Sequence, residues 1–214
     1  MPLIYIYYSY LSPENHENLL KNELPKLPYD FRQKIKNYRK WQDKQLSVLG
    51  RFLLFYGIEK NFNLKRQNLK IRYNPYNKPF FERNPVYFNI SHSAEIVVCA
   101  ITDVAETGID IEKITLIEIN NFKINMTEME WNKVAFSENK PQTFFEYWTQ
   151  KEAVIKANNL GQFIDLKSFE IKENETIVNN GKFYLKEIMI DEKYKCYLAS
   201  KKVANDFYVE EIIY

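Results

Sequence analysis

The sequence predicts an α+β fold for this chain of 214 residues. Segments with the alternating pattern of strands, separated by turn residues, occur before residue 114 and again after residue 161. Two longer stretches have helical spacing, from about Trp41 to Lys60 and from Phe144 to Gly161. A chain of this length can bury a sizeable core as one large domain or two small ones, so no disulfide is needed.

The elements of the first half follow from their turn and cap residues. Leu3 to Tyr8 is predicted as a buried strand, and Ser12-Pro13 begins a helix that continues to about Leu24. The helix that begins at Trp41 carries a stripe of apolar residues that we expect in the core: Leu46, Leu49, Leu53 and Tyr56. Three strands should then form an antiparallel meander: Val86–Ile90, Glu95–Thr102 and Thr107–Ile114.

The second half also combines helices with strands. Thr127 is a candidate cap for a short helix that precedes the long one. After Gly161 the pattern predicts strands at 168–172, 176–178, 182–188, 194–200 and 207–213, with a turn at Asn179-Asn180-Gly181. The clearest domain boundary lies near residues 103–108, so we divide the chain into residues 1–105 and 106–214.

Composition excludes several classes of protein. Thirty basic and 28 acidic residues leave a net charge of +2, which gives no global attraction to nucleic acid. The apolar runs are too short to span a bilayer, and no signal pattern precedes the first strand. Cys99 and Cys196 lie in apolar or alternating runs without metal-type spacing, which suits reduced thiols. We therefore expect a cytoplasmic protein with no nucleic-acid or membrane partner.

A pair of carboxylates on one predicted strand is the first candidate site. Asp110 and Glu112 are two residues apart and leave the same face, while Ile109 and Ile111 leave the other. Like charges this close raise each other's pKa unless a cation lies between them. Mg²⁺ accepts paired carboxylates and keeps positions for substrate phosphates.

The predicted helix from Phe144 to Gly161 carries a second set of charges. Trp148, Glu152, Lys156 and Asn159 recur at three- and four-residue spacing and so share one face. A solvated helix face can have the same pattern, because a Glu four residues before a Lys stabilises a helix by roughly 0.2–0.5 kcal/mol without any function. The helix alone therefore leaves both interpretations open.

Basic residues and one histidine complete the candidates. Arg32, Lys34 and Lys36 form either a solvated basic face or an anion site. His92, between two serines at a strand end, is either a turn or core residue or a ligand. Two His exclude a multi-His zinc site, and neither a P-loop nor a Rossmann glycine motif occurs. The remaining acids and cations suit a Mg²⁺-bound pyrophosphate.

The order of the motifs suggests a family. NKP at 77–79, FNISHS at 88–93, GIDIE at 108–112 and WTQKEAVIK at 148–156 together resemble the 4'-phosphopantetheinyl transferases of the Sfp type, over roughly residues 27–172. The resemblance implies the 4'-phosphopantetheinyl transferase fold, a pseudo-dimer of two similar α/β halves, each with an antiparallel sheet and a long helix. It also implies a monomer with its site in the cleft between the halves.

The resemblance further implies a reaction. The 4'-phosphopantetheine group of coenzyme A moves to a serine of an apo acyl or peptidyl carrier protein, and adenosine 3',5'-bisphosphate is released. Asp110, Glu112 and Glu152 would bind Mg²⁺, with Mn²⁺ as an alternative. Glu152 would also act as general base, Lys156 would bind the pyrophosphate, and His92 would bind a coenzyme A phosphate; these three are the implied catalytic residues.

By the same resemblance, a wider set of residues would bind coenzyme A. The first half would supply most of them and the second half the metal-binding acids and the catalytic helix. The implied set is Arg32, Lys34, Lys36, Ser47, Asn77, Lys78, Pro79, Ser91, His92, Lys151 and Lys156. Asn77 stands where the family often has Gly, and Asn tolerates left-handed backbone. ANNLG at 157–161 replaces a Gly-rich stretch of the family.

Two other functions remain open from the residues. A Mg²⁺-dependent hydrolase of a nucleotide pyrophosphate could use the same acids and lysines, and a non-catalytic module could bind coenzyme A alone. The carrier surface is also open. Apolar residues after the metal strand could meet a carrier helix or belong to the core: Met126, Met129, Trp131 and Phe136.

Overall fold

A computed structural model describes residues 3–83, 85–158, 164–203 and 206–214. The helices are α1 His16–Glu23, α2 Tyr29–Lys36, α3 Trp41–Phe62, α4 Glu128–Ala135 and α5 Lys140–Ala157. The strands are β1 Leu3–Tyr10, β2 Ile71–Tyr73, β3 Pro79–Phe81, β4 Tyr87–Ser93, β5 Ile96–Thr102, β6 Thr107–Lys113, β7 Glu175–Val178, β8 Gly181–Glu187, β9 Tyr194–Ser200 and β10 Asp206–Glu211. The predicted α+β class is confirmed.

The first sheet has the strand order β10-β1-β5-β4. β5 pairs antiparallel with β1 and β4, whereas β10 pairs parallel with β1. Helix α3 packs against this sheet and, as predicted, buries Leu46, Leu49 and Leu53 against β5 residues such as Val97 and Cys99. Tyr56 is partly buried against the same core.

The second sheet is antiparallel, with the order β6-β9-β8-β7. Helix α5 packs against β6 and β9, so each half has one long helix on one sheet. A further apolar cluster joins the sheets to each other: Ile4, Ile6, Val98 and Ala100 from the first meet Ile109, Ile111, Cys196 and Leu198 from the second. Both cysteines are free and buried.

The predicted meander is wrong in its third strand. β6 leaves the first sheet and pairs with β9 instead. The reason lies in β5, whose two edges are already hydrogen-bonded to β1 and β4, so β6 has no edge to join there. The division of the chain between residues 105 and 106 consequently separates the two sheets except for β10, which returns to β1.

The predicted strand at 168–172 is also wrong. Leu166–Ser168 forms a 3-10 turn, and beyond it Lys172 makes only an isolated bridge with Glu175. The backbone here is satisfied by side chains, because the Ile171 N–H donates to Glu130 at 2.9 Å and the Glu170 carbonyl accepts from Thr176 at 2.8 Å. A strand partner is therefore not required.

The two helices of the second half, α4 and α5, begin at side-chain caps. Thr127 caps α4 in a full capping box with Glu130, as predicted. Asn139 caps α5 by accepting from the Gln142 N–H, and α5 ends at Ala157. Residues 159–161 of the predicted helical stretch, including Asn159, lie outside the described residues. Within the described ranges, no helix is both long and apolar enough to cross a membrane.

Gly108 allows α5 to lie directly on β6. A Cβ added there would be 2.3 Å from the Ala153 carbonyl oxygen and 2.3 Å from the Ala157 nitrogen, both on the α5 backbone. Backbone atoms cannot move aside as a flexible side chain can. The close contact therefore sets the distance between the helix and the strand.

We expect Gly108→Ala to lower the free energy of unfolding by about 2–3 kcal/mol, because the methyl group must push α5 away from β6. Urea denaturation followed by circular dichroism measures this. Gly181→Ala is the matched control, since the nearest atom to a Cβ there lies 3.3 Å away. Equal losses in the two variants would show that the α5 contact is not tight.

Candidate functional site

The two sheets meet along β4 and β6, and side chains make the contact. Asn89 Oδ1 accepts from the Ile109 N–H at 2.9 Å, and Ser91 Oγ donates to Asp110 Oδ1 at 2.8 Å. Asn89 and Ser91 are two residues apart on β4, so both project toward β6. We call this line of contacts the seam.

The seam continues to Glu112. Ser93 Oγ donates to Glu112 Oε2 at 2.7 Å and accepts from the Lys113 N–H at 3.1 Å. Ile109 and Ile111 lie in the apolar cluster on the other face of β6, so the predicted parity of the strand is confirmed. Both carboxylates of GIDIE therefore face the seam.

Lys156 on α5 reaches the same point. Its Nζ donates to Ser91 Oγ at 2.9 Å and forms an ion pair with Asp110 Oδ1. Asp110 is 2% exposed, and its second oxygen, Oδ2, is buried without a hydrogen-bond partner. A buried carboxylate oxygen without a donor is costly, so this atom is suited to a cation.

The three acids interact electrostatically. Desolvation by burial and then the charge of Asp110 raise the pKa of Glu112 and also that of Glu152, while Lys156 lowers both. Each acid would therefore be stabilised as a carboxylate by an additional cation nearby. This agrees with the expectation drawn from two like charges on one strand face.

No group of three His, Cys, Asp or Glu side chains forms a ready-made metal site in the described part of the chain. The ammonium of Lys156 pairs with Asp110 Oδ1. The donor set nevertheless fits a hard divalent ion, because carboxylate oxygens are the ligands that Mg²⁺ prefers. Asp110 Oδ2 has no hydrogen-bond partner and can therefore bind such an ion. The metal assignment of Asp110, Glu112 and Glu152 stays a prediction.

His92 follows Ser91 on β4. Its side chain is exposed to solvent, although neighbouring atoms crowd the imidazole ring. Desolvation and then the charge of Lys156 lower the pKa of His92, and Lys34 adds to this, while Asp43 and Asp110 oppose it. The imidazole is therefore surrounded by charged groups from α2, α3, α5 and β6. This position is compatible with an anion ligand, whose charge the two lysines would balance.

A cleft of about 490 Å³ lies beside the seam. β2 and β3 pair antiparallel and form a hairpin. This hairpin and α5 form the walls of the cleft, and its lining includes Asn77, Lys78, Pro79, Asn89, Glu152 and Lys156. Lys78 Nζ donates to the Ala157 carbonyl at 3.2 Å, which ties the hairpin to the end of α5. Desolvation lowers the pKa of Lys78 to about 8. The structure thus brings together residues that are 79 positions apart in the chain.

A second cleft, of about 580 Å³, lies on the other side of Asn77, between α2 and the hairpin. Lys34 and Arg72 lie at this cleft together with Arg51, which is 8% exposed. Arg51 Nη2 donates to the Tyr73 hydroxyl at 3.2 Å. Arg51 was not among the predicted site residues, although a guanidinium within the apolar stripe of α3 was an available signal.

Three other predicted coenzyme A ligands, Arg32, Lys36 and Ser47, lie on α2 and α3 and line neither of these two clefts. Lys36 is exposed on α2, and Arg32 packs 5.8 Å from the ring of Tyr29. Ser47 is half-buried on α3, one turn after Asp43, whose charge acts on His92.

The structure contradicts the prediction made for Lys151. Its side chain is 1% exposed and pairs with Glu130 at 2.9 Å, and its Nζ also donates to the Leu166 and Phe169 carbonyls at 2.7 Å each. The ammonium therefore lies in the core of the second half, away from the clefts. The prediction that Lys151 binds coenzyme A is wrong, because adjacent helix residues project about 100° apart.

Comparison with known proteins identifies the family. Residues 106–208 match a family model described as the 4'-phosphopantetheinyl transferase superfamily, and residues 12–103 match one described as 4'-phosphopantetheinyl transferase, N-terminal. The 4'-phosphopantetheinyl transferase gsp of Aneurinibacillus migulanus is 36% identical over 161 residues, which cover 74% of this chain and 66% of that protein. This chain belongs to the 4'-phosphopantetheinyl transferase superfamily.

Two further relatives share a smaller fraction of identical residues with this chain. The 4'-phosphopantetheinyl transferase Sfp of Bacillus subtilis (strain 168) is 28% identical over 195 residues, which cover 86% of this chain and 85% of that protein. The L-aminoadipate-semialdehyde dehydrogenase-phosphopantetheinyl transferase of Xenopus laevis is 25% identical, and the match covers 56% of its length. The predicted family, fold class and enzyme class are therefore confirmed, and the chain is a 4'-phosphopantetheinyl transferase.

Asn77 provides a test of the hairpin that separates the two clefts. It has a φ of 63°, and its N–H donates to the Asn74 carbonyl at 2.9 Å. We expect Asn77→Ala to lower the free energy of unfolding by about 1 kcal/mol, because residues with a Cβ other than Asn and Asp tolerate this conformation poorly. Asn77→Gly should cost less, as measured by thermal unfolding of both variants. A larger loss for Gly than for Ala would contradict the left-handed conformation.

Proposed function

We propose that this chain transfers the 4'-phosphopantetheine group of coenzyme A to a serine hydroxyl of an apo acyl or peptidyl carrier protein and releases adenosine 3',5'-bisphosphate. The observation that carries the proposal is the convergence of Lys156, Asp110 and Ser91 at the seam, beside the cleft that Asn77, Lys78 and Glu152 line. Family membership supports the reaction class.

The acids of the seam would hold a divalent ion. We propose Mg²⁺, with Mn²⁺ as an alternative, bound by Asp110, Glu112 and Glu152. The buried, unpartnered Oδ2 of Asp110 and the raised pKa values of the two glutamates support this. When bound, the ion would neutralise the diphosphate oxygens as negative charge develops on the leaving group.

Lys156 and His92 would bind the phosphates of the donor. Lys156 carries a positive charge at the seam and can donate to a diphosphate oxygen in place of its present bond to Ser91. The lowered pKa of His92 keeps the ring neutral near pH 7, so one ring nitrogen donates to a phosphate oxygen. Ser91, next to His92 in the chain, can donate its hydroxyl to the same diphosphate.

Glu152 would act as the general base. Its side chain is half-buried in the cleft, and its raised pKa makes the carboxylate a better proton acceptor than a solvated Glu. It would take the proton of the carrier serine, directly within about 3 Å or through one water. The serine oxygen then bonds to phosphorus as the phosphorus–oxygen bond to the adenosine bisphosphate breaks, and the leaving group keeps the electron pair.

The nucleotide end of coenzyme A would lie across the hairpin. Asn77, Lys78 and Pro79 line the cleft where we place the adenine. Lys34 lines the neighbouring cleft and would bind the 3'-phosphate, and Arg32, Lys36 and Ser47 lie on the adjacent helices α2 and α3. Asn77 borders both clefts, so one extended ligand can occupy both.

The carrier protein would approach α4. Met129 is 50% exposed and Phe136 is 86% exposed at opposite ends of this helix region, so both are available for apolar contact. Met126 is buried, which excludes it as a carrier contact, and Trp131 is partly buried against the core of the second half. We also propose a monomer that acts in the cytoplasm, supported by two halves in one chain and by two free, buried thiols.

The hydrolase alternative uses the same acids but needs no carrier. The assay is incubation of the protein with coenzyme A and Mg²⁺, with and without an apo carrier protein, followed by chromatography of adenosine 3',5'-bisphosphate. We expect release only when the carrier is present, and loss of release when a chelator removes the divalent ion. Steady release without carrier would favour the hydrolase, and binding without any release would favour a non-catalytic module.

Asp110→Ala tests the seam. We expect the variant to fold and to lose transfer by at least about 1000-fold, because the unpartnered oxygen and the partner of Lys156 are both removed. Mass spectrometry of an apo carrier protein incubated with coenzyme A measures the added phosphopantetheine. Asp103→Ala, an exposed acid on the turn between β5 and β6, is the matched control. Wild-type transfer by Asp110→Ala would refute the assignment.

A further inference from the structure

Lys151 precedes Glu152 in the chain, yet it is one of the most buried side chains of α5. Its ammonium has three oxygen partners: Glu130 at 2.9 Å and the Leu166 and Phe169 carbonyls at 2.7 Å each. A lysine ammonium has three donors, so all of them are used. The centre of the Phe169 ring lies 4.4 Å from Nζ.

Glu130 is equally buried, with 1% of its side chain exposed. Its Oε1 accepts from the Ile171 N–H and its Oε2 from the Thr127 N–H, both at 2.9 Å. The pair therefore connects α4, α5 and the segment from 166 to 171 at one point.

A buried ion pair is an inefficient way to stabilise a fold. The cost of removing both charges from water is repaid only when the geometry is good, and apolar residues of similar volume often stabilise as well or better. The pair adds directional contacts, because three oxygen atoms in defined places can hold a helix at one rotation about its axis.

The rotation of α5 matters because of what its other faces carry. Gly108 lies against the α5 backbone on the β6 side, and Lys156 on that side reaches Asp110. A charged group about 6 Å from a helix axis moves by about 1 Å when the helix rotates by about 10°. A displacement of this size can reduce a catalysed rate by about 100-fold.

We propose that Lys151, through its ion pair with Glu130, is a positioning residue that sets the rotation of α5 and so places Glu152 and Lys156 at the seam. Lys151 lines neither of the two clefts described above, so it acts through the helix and not on the substrate. The kinetic part of this inference rests on the proposed transferase function.

The test compares the double variant E130Q/K151M with the wild type. The new glutamine keeps an acceptor for the backbone N–H groups, and the new methionine keeps the length of the lysine stem without leaving an unpaired charge. Well below the melting temperature, we expect kcat for transfer to fall about 10- to 100-fold. KM for coenzyme A should change less, because the nucleotide contacts lie in the first half. The Mg²⁺ concentration that gives half-maximal rate should rise.

Val154→Ala is the matched control. Val154 is fully buried on the same helix and takes no part in the ion pair. Its loss of packing should lower the melting temperature while kcat and the Mg²⁺ requirement stay near wild-type values. If E130Q/K151M behaves like Val154→Ala, the ion pair is structural only and the proposal is overturned.

Two further measurements apply if the double variant does not fold or if the wild type is inactive. If the double variant does not fold, Glu130→Asp retains the charge and shortens the carboxylate arm by one methylene; an unchanged kcat in that variant overturns the proposal. If the wild type itself transfers nothing to any carrier, the proposed function fails. Calorimetric titration with Mg²⁺ alone then decides: weaker binding by the double variant supports positioning, and equal binding refutes it.

Discussion

One polar contact between the two halves supports the rest of the structure. Asp110 is almost fully buried, and a carboxylate in such a place is costly unless it is paired and hydrogen-bonded. Lys156 from α5 and Ser91 from β4 supply the pairing. Lys156 and Ser91, which we propose as contacts of the diphosphate, therefore also help to join the two halves.

The two faces of β6 join the sheets through different kinds of contact. On one face Asn89, Ser91 and Ser93 meet β6 through directional hydrogen bonds, while Ile109 and Ile111 on the other face enter the shared apolar cluster. Apolar burial gives adhesion without direction, and the hydrogen bonds give register. Because side chains and not a backbone ladder span β4 and β6, acids and hydroxyls remain available to a ligand.

The sequence predicted what depends on local periodicity and missed what depends on distant partners. The parity of β6 follows from its two-residue period, so Asp110 and Glu112 were placed together, and the left-handed backbone at Asn77 follows from residue type. The partner of β6 could not be deduced, since alternation identifies a strand but not its neighbour. Lys151 was misassigned because its partners come from residues 130, 166 and 169, and Arg51 was missed because its role depends on the position of the hairpin.

The return of β10 to the first sheet affects how the chain is made. β10 pairs in parallel with β1, so Leu3 lies beside Asp206, a residue that is synthesised about 200 positions later. During synthesis the backbone donors and acceptors on this edge of β1 stay unpaired until β10 has left the ribosome. The first sheet begins to form early but is completed last, and a chain stopped before residue 206 would expose a strand edge open to self-association.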